Sequence, residues 1–201
     1  MTETGAALSG RGDRHLATRR EIVEAAWELA RQRGLAGWAL RDLASAVGMR
    51  APSLYVYFAS KNALYDAMFA DGYAALLARA AQLEEAHAAV APVDLVRAGA
   101  RMFVDFCVED PARLQLLFLR TLPGFEPSAE SYAPAQRLLE QMAGVLAAAG
   151  LGAVEHVDLW TALLTGLATQ QVSNDPGGDR WRRLVDPAVD MFLGAHLPTS
   201  P

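Results

Sequence analysis

The sequence predicts an all-α protein, and three observations carry that expectation. Apolar residues recur at helical spacing, Gly- and Pro-containing breakers separate the periodic stretches, and no stretch sustains two-residue alternation. In the first element, Thr18 and Glu21 have capping-box spacing, followed by a helical stripe of Ile22, Ala25, Ala26, Leu29 and Ala30. Arg31 and Arg33 suit the negative end of that helix, and Gly34 suits the left-handed position just beyond it. A second, short helix follows with Leu40, Leu43, Ala44 and Val47, and Gly48 ends it. The third is the stretch RAPSLYVYFASK, from Arg50 to Lys61, with Pro52 tolerated in its first turn. Ser60 then caps a long fourth helix carrying Leu64, Met68 and Leu77. Helical patterns continue over 62–86, 92–108, 110–120, 128–149, 153–172 and 179–195, for about nine helices in all. Breakers at Pro92, Asp110-Pro111, Pro123-Gly124, Gly150, Gly152 and Asn174–Gly178 part them.

Composition narrows the class. Hydrophobic residues make up 52% of the 201, yet no uninterrupted apolar run reaches the ~18 residues of a membrane span. The first residues hold no apolar signal region, and the lone Cys107 excludes an intramolecular disulfide, so a cytoplasmic setting is expected. Residues 1–15, including Arg11-Gly12-Asp13, read as a flexible, solvated leader. Charge is unevenly spread: residues 1–65 hold nine basic against six acidic side chains, a net +3, which leaves −8 on the rest of a chain at −5. A basic end on an acidic body fits a polyanionic partner.

Two short helices joined by a tight glycine turn and packed on a longer one make a helix-turn-helix, with Leu43, Ala44, Val47, Leu54 and Phe58 as its small core. A generic three-helix packing unit has the same geometry, so the charges must discriminate. Arg41, Arg50 and Lys61 all fall at helix N-termini, where a cation costs roughly 0.3–1 kcal/mol against the macrodipole. The same positions suit a docked phosphate. With Leu54 and Phe58 turned inward, one or both of Tyr55 and Tyr57 offer a hydroxyl on the outer side, the alternative for either being a structural tyrosine at the core margin.

The segment from Leu40 to Met68, LRDLASAVGMRAPSLYVYFASKNALYDAM, resembles the DNA-binding motif of TetR-family transcriptional regulators, and helix one extends the resemblance back to about Thr18. The resemblance implies that Arg41 contacts a base or phosphate. It likewise implies that Ala51, Pro52 and Ser53 open the recognition helix in the groove, while Tyr55, Tyr57 and Lys61 hold the backbone. Ala39 and Arg50 depart from the family's usual Thr and Ser, removing two caps of ~1 kcal/mol each. Arg50 is left either to a charged phosphate contact or to a bidentate reading of guanine.

The expected organisation is a leader over 1–15, a helix-turn-helix domain over 16–61, and a ligand-binding and dimerisation domain over 62–201. The family pairs its last two helices across a two-fold axis. Here Leu159, Leu163, Gly166 and Leu167, with Leu184, Val189, Phe192 and Leu193, are the interface candidates. Candidate ligand-lining residues are Phe103, Phe106, Cys107, Phe118, Met142, Trp160 and Thr165, although each also suits an ordinary helical core. Few ionisable groups lie near them, so an apolar or weakly polar effector is expected. The four histidines lack metal-ligand spacing and no Gly-x-Ser-x-Gly elbow occurs, so neither metal, cofactor nor catalysis is expected. The resulting expectation is a homodimeric repressor that binds a pseudo-palindromic double-stranded operator and is released by a small molecule. The alternative is a helical binding protein or enzyme that keeps the helix-turn-helix only as structure.

Overall fold

The structure, a computed structural model, describes residues 3–197, with side chains from Gly12 onward. Among these residues there are nine α-helices, one 3-10 turn and no strand. They are α1 (Glu3–Arg33), α2 (Leu40–Ala46), α3 (Ala51–Leu54), α4 (Lys61–Ala86), α5 (Pro92–Glu109), α6 (Pro111–Phe118), α7 (Ala129–Ala148), α8 (Val154–Asn174) and α9 (Val185–His196). The 3-10 turn, Arg182–Leu184, leads into α9. No described helix is long and apolar enough to cross a membrane.

Most boundaries follow local chemistry. Gly34 and Gly48 take φ of 72° and 67°, the left-handed values that only glycine adopts at little cost. Ser60 Oγ accepts the Ala63 amide at 3.1 Å, and Asp110 Oδ1 accepts the Ala112 and Arg113 amides at 3.1 and 3.3 Å. Both are N-caps, worth about 1 kcal/mol each. Two elements differ from expectation. α1 begins at Glu3, so Thr18 lies inside it and caps nothing. Its early residues are mainly Ala, Leu and Arg with no proline, and their propensity carries the helix past three glycines. Residues 1 and 2 of the expected leader, and the Arg11 side chain, lie outside what is described. The third helix is shorter than expected, because Tyr55, Val56 and Tyr57 are poor helix formers. It closes with the Tyr57 and Phe58 amides both on Leu54 O, at 2.9 and 3.0 Å.

Three apolar clusters set the architecture. The first joins Ile22, Ala26 and Trp27 of α1 to Leu43, Leu54, Phe58, Leu64 and Met68, and it also takes in Ala112 and Leu116 of α6. The second packs α5, α7, α8 and α9 around Val96, Val104, Leu146, Trp160 and Phe192. The third lies between α4, α5 and α6, around Phe69, Tyr73, Leu76, Phe106, Cys107 and Leu117. Helix α6 thus belongs to two clusters at once. Each fully buried Leu or Phe contributes roughly 1.5–3 kcal/mol, so α6 is held firmly to both sides. Arg97 and Arg101 of α5 pair with Asp190 and Asp186 of α9, and Asp105 pairs with Arg182. These exposed pairs fix register more than they stabilise, since such bridges contribute ~0–1 kcal/mol.

Candidate functional site

The outer face of the helix-turn-helix is built by what the core leaves out. Leu43, Ala44, Leu54 and Phe58 are buried, which forces their neighbours outward. Arg41, Arg50, Pro52 and Ser53 are exposed, and Tyr55 is 54% exposed. Ala51 and Tyr57 are half-buried and pack against the first cluster. Arg50 is the N-cap of α3 in an extended conformation and makes no side-chain cap, so its guanidinium is not committed to the helix end. At α2 the expected loss of the Ala39 cap is half compensated. Asp42 Oδ2 accepts the Ala39 amide at 2.7 Å, supplying the reciprocal arm of a capping box.

Lys61, expected on the backbone of a nucleic acid, turns its ammonium toward its own protein in this structure. Its Nζ donates to Trp38 O at 2.5 Å and sits 4.2 Å above the Trp38 ring and 5.3 Å from that of Tyr65. Burial lowers its pKa, partly opposed by Asp42. Tyr65 OH in turn donates to Leu35 O at 2.5 Å, and burial pushes that phenol up to about 12, so it stays a neutral donor. Lys61 therefore ties the start of α4 to the loop between α1 and α2. An inward cation–π site competes with phosphate for the same ammonium.

Sequence reasoning missed three residues of this face. Val56 is 73% exposed beside Tyr55, and its only sequence signal was an apolar side chain between two outward tyrosines. His15 stacks on Tyr57 with ring centroids 4.7 Å apart. Arg19 Nη1 donates to Tyr57 O at 2.9 Å while its guanidinium lies 4.3 Å over the Phe58 ring. His15 was hidden because residues 1–15 read as a leader, and Arg19 because its partners Tyr57 and Phe58 lie far along the chain.

In the body, a cleft of ≈ 310 Å³ is lined by Phe69, Tyr73, Gln115, Leu117, Phe118, Arg120, Phe125 and Tyr132, among others. Five aromatic side chains make its walls, and no carboxylate lines it. Tyr73 OH is already used, donating to Leu117 O at 3.2 Å, and burial raises its pKa. Of the seven expected lining residues only Phe118 lines this cleft. Phe106 and Cys107 are fully buried in the third cluster, and burial pushes the Cys107 thiol up to about 12, an inert state. Phe103 packs edge-on against Phe118, with centroids 5.0 Å apart, just behind the wall. Met142 and Trp160 belong to the second cluster, and Thr165 is a half-buried residue of α8. The cleft gathers instead around the end of α6 and the loop after it, which sequence periodicity does not foresee.

The proposed pairing helices also divide. Leu159 is 48% and Leu184 38% exposed, Gly166 is exposed, and Leu163 and Leu167 are half-buried. Val189, Phe192 and Leu193 lie at 0, 6 and 4% exposure inside the second cluster, so they face their own protomer and not a partner. The opposite face of α9 carries Pro187, Met191 and Ala195, with Met191 67% exposed, and Leu184 of the preceding 3-10 turn is exposed beside it. A Cβ added at Gly166 or Gly194 would meet open space, so nothing within the protomer requires either glycine.

This arrangement is that of a known class of DNA-binding regulator. The family model for bacterial regulatory proteins of the tetR family matches residues 22–68, and that for the tetracyclin repressor-like C-terminal domain matches residues 96–193. The chain belongs to the TetR family of transcriptional regulators. Its fold is shared with solved structures of low sequence identity. A protein of unknown function from Rhodococcus sp. RHA1 is 21% identical, with a TM-score of 0.77 over 90% of this chain and 95% of that one. FadR from Bacillus subtilis, solved with stearoyl-CoA, is 15% identical, with a TM-score of 0.66 over 86% and 96%. AibR, solved with isovaleryl coenzyme A and operator DNA, is 20% identical, with a TM-score of 0.64 over 86% and 96%. No curated protein matches the chain.

Proposed function

We propose that the protein is a homodimeric repressor that binds a pseudo-palindromic duplex through α2 and α3 and is released by a small molecule held in the aromatic cleft. The observation that carries the reading is the outward set of Arg41, Arg50, Pro52, Ser53 and Tyr55, which a purely structural three-helix unit has no reason to expose together. In this reading Arg50 and Arg41 contact base edges or phosphates and Tyr55 a phosphate oxygen, supported by their exposure. Val56 adds an apolar contact suited to a thymine methyl. Tyr57 is anchored by His15 and Arg19 at the rim of that face. Lys61 supports the face from within.

Helix α6 supplies the link between cleft and DNA face. Its last turns, Gln115–Phe118, line the cleft, while Ala112 and Leu116 are part of the helix-turn-helix core. Its cap, Asp110, accepts Arg31 Nε of α1 at 2.9 Å. An effector that fits the cleft better with α6 displaced therefore favours a different setting of α1. Release requires that differential affinity; equal binding to both settings shifts nothing. Five aromatic walls favour an effector with an apolar part, and Gln115 and Arg120, which also line the cleft, suit a polar group on it.

Binding to mixed-sequence duplex, followed by fluorescence anisotropy over a salt series, tests the DNA reading without a known operator. Wild type is expected to lose affinity steeply with salt, and Arg41→Ala or Arg50→Ala to flatten the slope by about one phosphate contact wherever the arginine lies on the backbone. Absence of measurable binding at low salt would overturn the reading.

A further inference from the structure

Residues 12–17 of α1 are exposed to solvent. The stripe that buries Ile22 and Ala26, both at 0% exposure, continues toward the N-terminus at the same helical spacing as Arg19 and His15. At those two positions it meets the recognition turn: Arg19 lies over the Phe58 ring at the edge of the core and donates to Tyr57 O at 2.9 Å, and His15 stacks on the Tyr57 ring. Arg14, Leu16 and Arg20 are exposed around them, Leu16 at 54%. Residues 11–20, RGDRHLATRR, hold four arginines against one aspartate. Residues 12–17 are exposed and gain little from packing, whereas helical stability in proteins comes mainly from an amphipathic face. Its charge and its place beside the DNA face both point to the same polyanion.

We propose that residues 14–20 of α1 form a second DNA-contacting element, a basic arm whose Arg14 and Arg20 meet phosphates of the duplex beside the half-site. His15 and Arg19 are positioning residues that hold the arm against the Tyr57 turn. The occupant is duplex DNA, argued from charge complementarity and from continuity with the α3 face. This rests on the DNA reading above.

The test compares the sequence selected from a random duplex pool in two lengths, trimmed to the protected core or carrying ten further base pairs on each side. Wild type is expected to bind the long duplex about tenfold more tightly, and the Arg14→Ala/Arg20→Ala variant to lose that gain with a salt slope shallower by about two. On the trimmed duplex the variant should approach wild type. His15→Ala should reduce the flank gain at unchanged melting temperature. A variant that keeps the full flank gain overturns the arm while leaving α3 recognition intact. A wild type that selects no sequence at all overturns both, and the two failures are thereby separate.

Discussion

Lys61 shows how one side chain can read two ways. In sequence it is a cation beside a helix cap; in the structure it is bonded to the Trp38 carbonyl and set over two aromatic rings. Lys61→Ala is therefore expected to destabilise the helix-turn-helix by about 1–2 kcal/mol, from a lost cation–π contact and a lost charged hydrogen bond. A thermal melt should register this as a fall of roughly 2–8 °C. The slope of DNA affinity against salt should stay as in wild type; a slope reduced by about one would instead return Lys61 to a phosphate. Arg50 is the complementary case. Exposed and uncommitted at the start of α3, it should alter sequence preference on truncation if it reads a base, and reduce binding to all sequences alike if it does not. The residues on this face that were legible in sequence are those fixed by local register: Leu54 and Phe58 in, Tyr55 out. Lys61 and His15 were not, because their partners lie 23 and 42 positions away in the chain, the first at Trp38 and the second at Tyr57. No local spacing encodes such meetings.

Among the helices, caps and glycine stops were readable because each is a short-range bargain between a side chain and four backbone groups. The cleft was not, since it arises where α4, α6 and the loop after α6 converge. Asp66 shows how that region is held. Burial raises its pKa, but the Ser128 amide and the Ser128 and Ser131 hydroxyls outweigh burial and hold it below the ordinary value. The sign follows: a depressed folded pKa stabilises above the unfolded value of about 4, and that stability is lost as pH falls through the folded one. Asp66→Asn is accordingly expected to lower stability near neutrality and to flatten the acid limb of a melting-temperature profile below about pH 4. Gly72 marks a close approach of α4 and α6, where an added Cβ would stand 3.0 Å from both Leu117 methyls and 3.3 Å from the Trp27 ring. Gly72→Val should cost about 1–3 kcal/mol by overpacking and disturb the α6 setting, read as altered DNA affinity without effector.

Across the whole molecule, the all-α class and the helix-turn-helix were legible, because helical periodicity and glycine placement repeat along the chain. The division of α8 and α9 into inner and outer faces was only partly so. Both sides of α9 are apolar, and only the packed second cluster decides that Val189, Phe192 and Leu193 turn inward while Leu184 and Met191 turn out. The outward faces of α8 and α9 are proposed to pair across a two-fold axis. Leu159→Glu/Met191→Glu should convert a dimer to a monomer in sedimentation, with little change in helix content, because both positions are exposed. The paired protomers would set their recognition helices about one duplex turn apart, ~34–36 Å. The central claim is that this paired face reads a symmetric sequence, and selection of bound sites from random duplexes tests it most directly. The account predicts an inverted repeat with half-sites about one helical turn or a multiple apart, recovered by wild type and altered or lost with Arg41→Ala/Arg50→Ala. Recovery of no enriched site, or of the same site by wild type and the double variant, would contradict it.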